Sequence, residues 1–345
     1  MRQRLMRFDA RAWVVWVLAM AVVAMAVRNP LYTLILLLVS RLVANACAPR
    51  AQEGLRLPLW RVGLFVLLFS ALFNALFVRA GETALLRLPR DWPLLGGAIT
   101  LESLVYGAES GLILLTLLSL FIAFNRLVPM SELVRLTPRA FHDLGVVLLI
   151  AITYVPETAR HWRRIREAQM IRGHRLHGLR DWRPIIIPLL VGGLERALGV
   201  AEAMVARGYG ATAGRPRQSS LLAGLVLSLG LLFLGWALAL WRGWPGWVLL
   251  ALGMASLGFL IWRRGRNTSY THYRPPHWRP GDSALLLVSL LPLLALWLVK
   301  QRADLLYTPY PRVQLPPFNP WLGLALATLA LPAFIAGIAP AERQT

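Results

Sequence analysis

Eight apolar runs of about the length of a bilayer's hydrocarbon core recur along the chain, near residues 13–27, 31–47, 62–78, 103–125, 219–241, 246–262, 283–299 and 320–338. No water is available inside lipid to satisfy a backbone N–H or C=O, so such runs must fold as helices that satisfy their own. The expected fold class is therefore all-α, a polytopic helical membrane protein, and 57% hydrophobic residues agree with it. The first run follows Arg2, Arg4, Arg7 and Arg11 as a signal peptide would, but no small-residue cleavage site closes it and a second run follows at once, so a retained helix is expected. Pro30, Pro292 and Pro332 sit at or within runs and read as kinks. The single cysteine, Cys47, can form neither an internal disulfide nor a thiolate cluster.

A formal net charge of +21 could suggest a nucleic-acid partner, but the basic residues fall between the apolar runs, where the positive-inside bias accounts for them. No nucleic acid is expected. The ambiguous stretch is Gly145 to Pro156, apolar but only as long as buried or interfacial helices usually are. If it does not span, the inner loops hold Arg2 to Arg11, Arg50 to Arg61, Arg126 to Arg217, Arg263 to Arg279 and Arg343. The outer ones then hold Arg28, Arg79, Arg87, Arg90, Arg242, Lys300, Arg302 and Arg312. If it does span, the arginines from Arg160 to Arg217 move outside, which the rule disfavours. The expected layout is about four membrane helices in 1–126, a cytoplasmic helical region in 127–218, and about four membrane helices in 219–345, with the N-terminus cytoplasmic.

Within the central region a Glu-Ala-x-x-x-Arg-Gly pattern occurs twice, as Glu167-Ala168-Gln169-Met170-Ile171-Arg172-Gly173 and as Glu202-Ala203-Met204-Val205-Ala206-Arg207-Gly208. Each copy ends a helix-compatible stretch, and a glycine there lets a helix stop in the left-handed conformation. The arginine then lies on the last turn, favoured by the negative end of the helix dipole and free to project toward a partner. On the first arm Glu157, Arg160, Arg164 and Glu167 form a charged stripe, with Val155, Thr158, Trp162, Ile165 and Gln169 toward the other face. The second arm opens Pro184-Ile185-Ile186-Ile187-Pro188-Leu189-Leu190-Val191, apolar enough to need cover from membrane, the other arm or partner proteins.

These residues resemble the T component of energy-coupling factor transporters, the cobalt-transport permease family, over about residues 5–210. The resemblance rests on Phe8-Asp9-Ala10-Arg11, where the family has Asp-Pro-Arg, and on Arg28-Asn29-Pro30-Leu31-Tyr32. It continues through Thr137-Pro138, Ile152-Thr153-Tyr154-Val155-Pro156-Glu157 and the two Arg-Gly ends. The resemblance implies long cytoplasmic coupling helices that cross, each with an Ala-Arg-Gly signature whose arginine docks on one of two ATP-binding cassette subunits. Ala206, Arg207 and Gly208 match it intact; Ile171, Arg172 and Gly173 match with isoleucine in place of alanine. Glu167, Ala168, Glu202 and Ala203 would support the tips. It further implies a separate substrate-binding S component, uptake of a vitamin or transition metal, and the plasma membrane of a prokaryote as location.

The chemistry of the chain fits a non-catalytic subunit. It holds no Gly-x-x-x-x-Gly-Lys-Ser/Thr sequence and its only lysine, Lys300, follows an apolar run, so ATP hydrolysis would reside in partner chains. No cofactor is expected. His174 with His177, and His272 with His277, lack the Cys or carboxylate companions of a metal site. Glu102 and Glu109, seven residues apart on similar helix faces, are expected at the outer interface rather than in a proton relay. Gly192-Gly193 and Gly224 are expected to permit close helix packing. The alternative class is a membrane-embedded enzyme or scaffold with an Arg-rich cytosolic site.

Overall fold

The computed structural model describes residues 8–47, 59–88, 97–174, 178–209, 218–266, 278–299 and 305–338. Arg2, Arg4, Arg7, Arg50, Arg90, Arg215, Arg217, Lys300, Arg302, Arg343, His177, His272 and His277 lie outside them. All eight apolar runs fall on helices: α1 (Ala10–Ala26), α2 (Pro30–Cys47), α3 (Leu59–Phe77), α4 (Leu101–Leu127), α8 (Gln218–Arg242), α9 (Trp244–Arg266), α10 (Pro280–Leu298), and α11 (Pro320–Ala327) with α12 (Leu331–Ile338). Between them lie a short α5 (Met130–Arg135), the long α6 (His142–Ile171) and α7 (Arg183–Ala206). Among the described residues seven helices are long and apolar enough to cross a membrane. The chain is a multi-pass, all-α membrane protein.

Two details differ from the sequence expectations. First, α7 also meets that length and apolarity test and belongs to the seven, while the helices of the first and last runs, Ala10–Ala26 and Pro320–Ile335, fall short of it. Second, a short antiparallel hairpin joins α3 to α4, with β1 (Ala84–Leu88) paired to β2 (Gly97–Thr100), Leu88 opposite Gly97 and Ala84 opposite Thr100. The backbone there leaves the helix and satisfies its N–H and C=O groups between strands instead.

The helices pack as two units. One comprises Met1–Leu133 with Arg274–Thr345, the other Val134–Tyr273, so the grouping cuts across the three stretches 1–126, 127–218 and 219–345. In the first unit the loops of one end are stitched together. Tyr307 N–H donates to the Arg28 carbonyl (2.6 Å) and Glu82 N–H to the Pro311 carbonyl (3.2 Å), while Arg312 pairs with Glu82 at 2.7 Å. At the start of α1, the buried Asp282 of α10 accepts from Asp9 N–H (2.7 Å) and Arg279 N–H (2.8 Å), and Asp9 in turn accepts from Arg11 N–H (2.9 Å). One carboxylate thus satisfies donors at two helix starts, where the dipole favours negative charge.

The core of this unit is apolar with small polar side chains between helices: Trp16, Met20, Tyr32, Leu36, Leu120, Leu322 and Leu326 are fully buried, and Ser40 meets Ser119 at 2.9 Å. Gly107 sits so close to the Ser70 carbonyl that a methyl group there would collide with it. The last apolar run is broken by a 3-10 turn at Thr328–Ala330, just before Pro332. Proline has no N–H and clashes with the carbonyl four residues back, and the Trp16 indole N–H caps the nearby Leu329 carbonyl at 3.1 Å. Glu102 is buried and receives Thr83 N–H at 3.1 Å, closing the hairpin onto α4. Glu109 is buried among the helices, and neither of its oxygens has a hydrogen-bond partner among the described residues.

The second unit holds α6 to α9. Here α8 and α9 form a close hairpin in which Gly246 abuts the Ala239 backbone and Ser256 donates to Ser228 at 3.1 Å. Gly224 rests against Leu260, as expected of a packing glycine. Their outer faces expose Phe233, Trp236, Trp247 and Phe259, the surface of helices that meet lipid.

Candidate coupling site

The residues singled out by sequence lie at the ends of α6 and α7, and the two ends are built alike. Gly173 N–H donates to the Met170 carbonyl (2.9 Å) and His174 N–H to the Gln169 carbonyl (2.9 Å). Thirty-five positions on by numbering, Gly208 N–H donates to Val205 (2.9 Å) and Tyr209 N–H to Met204 (3.0 Å). Both are Schellman caps, whose crossed bonds satisfy the last helix carbonyls. Both require the left-handed conformation, and Gly173 and Gly208 adopt it with φ of 81° and 79°. A Cβ at either position would touch nothing within 4 Å, so glycine is needed for backbone conformation and not for space.

Arg172 and Arg207 stand at the cap itself, exposed, and neither guanidinium has an ion-pair partner among the described residues. Ile171 is 88% exposed, and Met170, Val205 and Ala206 are exposed with it, so each arginine rises from a small apolar collar. Glu167, Ala168, Glu202 and Ala203 are exposed one turn back. A free guanidinium ringed by apolar surface can make bidentate bonds to a carboxylate or carbonyl cluster while its collar is buried by the partner.

The arms run antiparallel. Gln169 donates to the Pro184 carbonyl (3.3 Å), Trp162 meets Trp182 with ring centroids 5.4 Å apart, His161 lies against Gly192, and Arg196 pairs with Glu157 at 3.4 Å. Tyr209 O–H donates to Asp143 at 3.1 Å. Along α6 from Gln169 through His161 and Glu157 to Asp143, the partners run the other way, from Pro184 through Gly192 and Arg196 to Tyr209. The tips therefore stand at opposite ends of the pair, on the order of 40 Å apart at 1.5 Å per helical residue. Gly192 lies at the middle, where a methyl group would push the edge of the His161 ring aside; Gly193 faces open space.

The stripe expected on α6 is present, with Glu157 bonded to Arg160 as well as Arg196. Of the opposite face, Trp162 and Gln169 do meet α7 whereas Val155 is exposed. Sequence reasoning missed Tyr209 and Asp143. Tyr209 follows Gly208 directly, and its place after the cap was the available signal; Asp143 lies 66 residues away and had none. Burial first, and then the bond and charge of Asp143, raise the Tyr209 phenol above its ordinary pKa, so it stays a donor. His174, considered above for metal, instead bonds through Nε2 to the Asp181 carbonyl at 2.7 Å; a carbonyl only accepts, so the ring nitrogen carries the proton.

The pattern that defines the cobalt transport protein (CbiQ) family matches residues 1–220, which include both tips. The chain belongs to that family. Its relatives include proteins named energy-coupling factor transporter transmembrane protein EcfT. The one from Thermanaerovibrio acidaminovorans is 30% identical over 168 residues, 46% of this chain and 62% of that relative. The one from Acidaminococcus fermentans is 28% identical over 276 residues, 74% of this chain and 92% of the relative. The one from Streptococcus thermophilus is 27% identical over 235 residues, covering 63% and 84%. The first alignment thus spans less than two thirds of its relative's length. Membership of the cobalt transport family accounts for the N-terminal spans and the arms, while most of α8 and all of α9 to α12 follow the matched region.

Proposed function

We propose that the chain is the transmembrane coupling subunit of an energy-coupling factor importer in the cell membrane of a prokaryote, with its N-terminus and arms cytoplasmic. Arg172 and Arg207, each beside its glycine, dock two ATP-binding cassette subunits, identical or different. A separate membrane subunit binds the substrate, a vitamin or a transition-metal ion, and movement of the arms reorients it. The chain itself catalyses nothing, and stretch 127–218 is its coupling region. Names carried by the relatives support the assembly; family membership supports the transport role.

The observation that carries this reading is the pair of identically capped, exposed arginine tips at opposite ends of one helical pair. Two like sites at a wide separation suit a dimeric partner with two like recesses, and each arginine supplies a few kcal/mol of anchoring where its recess excludes water. The test is co-purification of the tagged chain from detergent with its ATP-binding cassette partners. Capture of two ATPase subunits by the wild type, lost in Arg172→Ala/Arg207→Ala, supports docking at both tips. Capture unchanged in the double variant removes it.

A further inference from the structure

The residue following each tip glycine reaches to the beginning of the opposite arm. At the first tip His174 bonds the Asp181 carbonyl, in the 3-10 turn Leu179–Trp182 that leads into α7. At the second, Tyr209 crosses to Asp143 in the first turn of α6. The first contact is local, seven residues apart; the second joins positions 66 residues apart and lies in no turn of its own.

Tyr209 is held by the same cap that presents Arg207: its N–H bonds Met204, and Gly208 in the left-handed conformation turns the chain between the two side chains. Any tilt of the Arg207 cap must therefore carry the Tyr209 phenol with it. At the receiving end, Asp143 sits where the α6 dipole favours a carboxylate, so its negative charge is fixed on the helix that the phenol pulls. The bond is exposed to solvent, and a hydrogen bond to an ionised acceptor is shorter and stronger than a neutral one.

Resting on the docking role argued above, we propose that the Tyr209–Asp143 hydrogen bond is a positioning latch that passes motion of the Arg207 tip to the start of the other arm. ATPase movement at one tip then shifts both arms together. Both residues act through the tip.

The experiment uses the full chain co-purified with its ATP-binding cassette subunits, and hydrogen exchange of a peptide covering 141–150, with ATP and without nucleotide. In the wild type, ATP changes exchange in that peptide. In Tyr209→Phe and Asp143→Ala the ATP-dependent change falls by up to about tenfold while ATPase capture stays at the wild-type level. Asp143→Asn, which keeps an acceptor oxygen for the phenol, retains most of the response and separates the lost bond from damaged folding. A Tyr209→Phe response equal to wild type, or no wild-type response with capture intact, overturns the latch and leaves docking standing. Failure of the wild type to capture any ATPase overturns docking, and the latch with it.

Discussion

The Asp9–Asp282 end of the first helical unit and the Arg-Gly tips of α6 and α7 solve the same problem, the unsatisfied groups of a helix terminus, in opposite ways. At the first, a fully buried carboxylate takes N–H groups from two helix starts and ties residues 273 positions apart. At the tips the caps are made by the backbone alone, the glycine faces empty space, and the charged side chain is left exposed, with no ion-pair partner among the described residues. A terminus that must hold its unit together spends its charge internally. One that meets a partner closes itself with main-chain bonds and keeps its charge available.

The largest effect should come from removing both exposed charges: Arg172→Ala/Arg207→Ala abolishes ATPase capture, while thermal unfolding in detergent stays within about 0.5 kcal/mol of wild type, as for other surface substitutions. Next, Asp282→Ala leaves two part-buried N–H groups without their acceptor and should lower stability by about 2 kcal/mol, read by a thermal melt. Equal stability of Asp282→Ala and wild type would break the contrast at its buried side. Gly208→Ala and Gly173→Ala force a side chain into the left-handed region at about 1–2 kcal/mol each. Since no neighbour is struck, the damage stays at the tip, and titration with the ATPase should show weaker binding with a melt lowered by no more than that amount. Smallest, Arg160→Ala removes one exposed ion pair of α6 and should change stability by under about 1 kcal/mol, with capture unaffected.

Much of this was legible in the sequence because it depends on composition over a window. Length and apolarity located eight runs that all fall on helices, though they did not single out α7, and Arg-Gly after a helical stretch located both caps. What was not legible depends on which distant residues meet. The hairpin at Ala84–Leu88 shows no alternation, and the pairing that makes it a strand is with Gly97–Thr100. That Glu109 is covered by neighbouring helices depends likewise on residues far from it in the chain. The separation of the tips follows only once α6 and α7 are seen to pair antiparallel, through contacts such as Gln169 with Pro184 and Tyr209 with Asp143.

The close approach of Gly192 to His161 has a mechanical consequence. It marks the middle of a seam that the arms also share at Gln169–Pro184, Glu157–Arg196 and Asp143–Tyr209, with Arg172 lying about 17 Å beyond it on one side and Arg207 about 23 Å beyond it on the other, at 1.5 Å per residue. Turning the joined pair by roughly 10° about that point moves the two ends by about 3 and 4 Å, so one rotation carries the two arginines through unequal arcs.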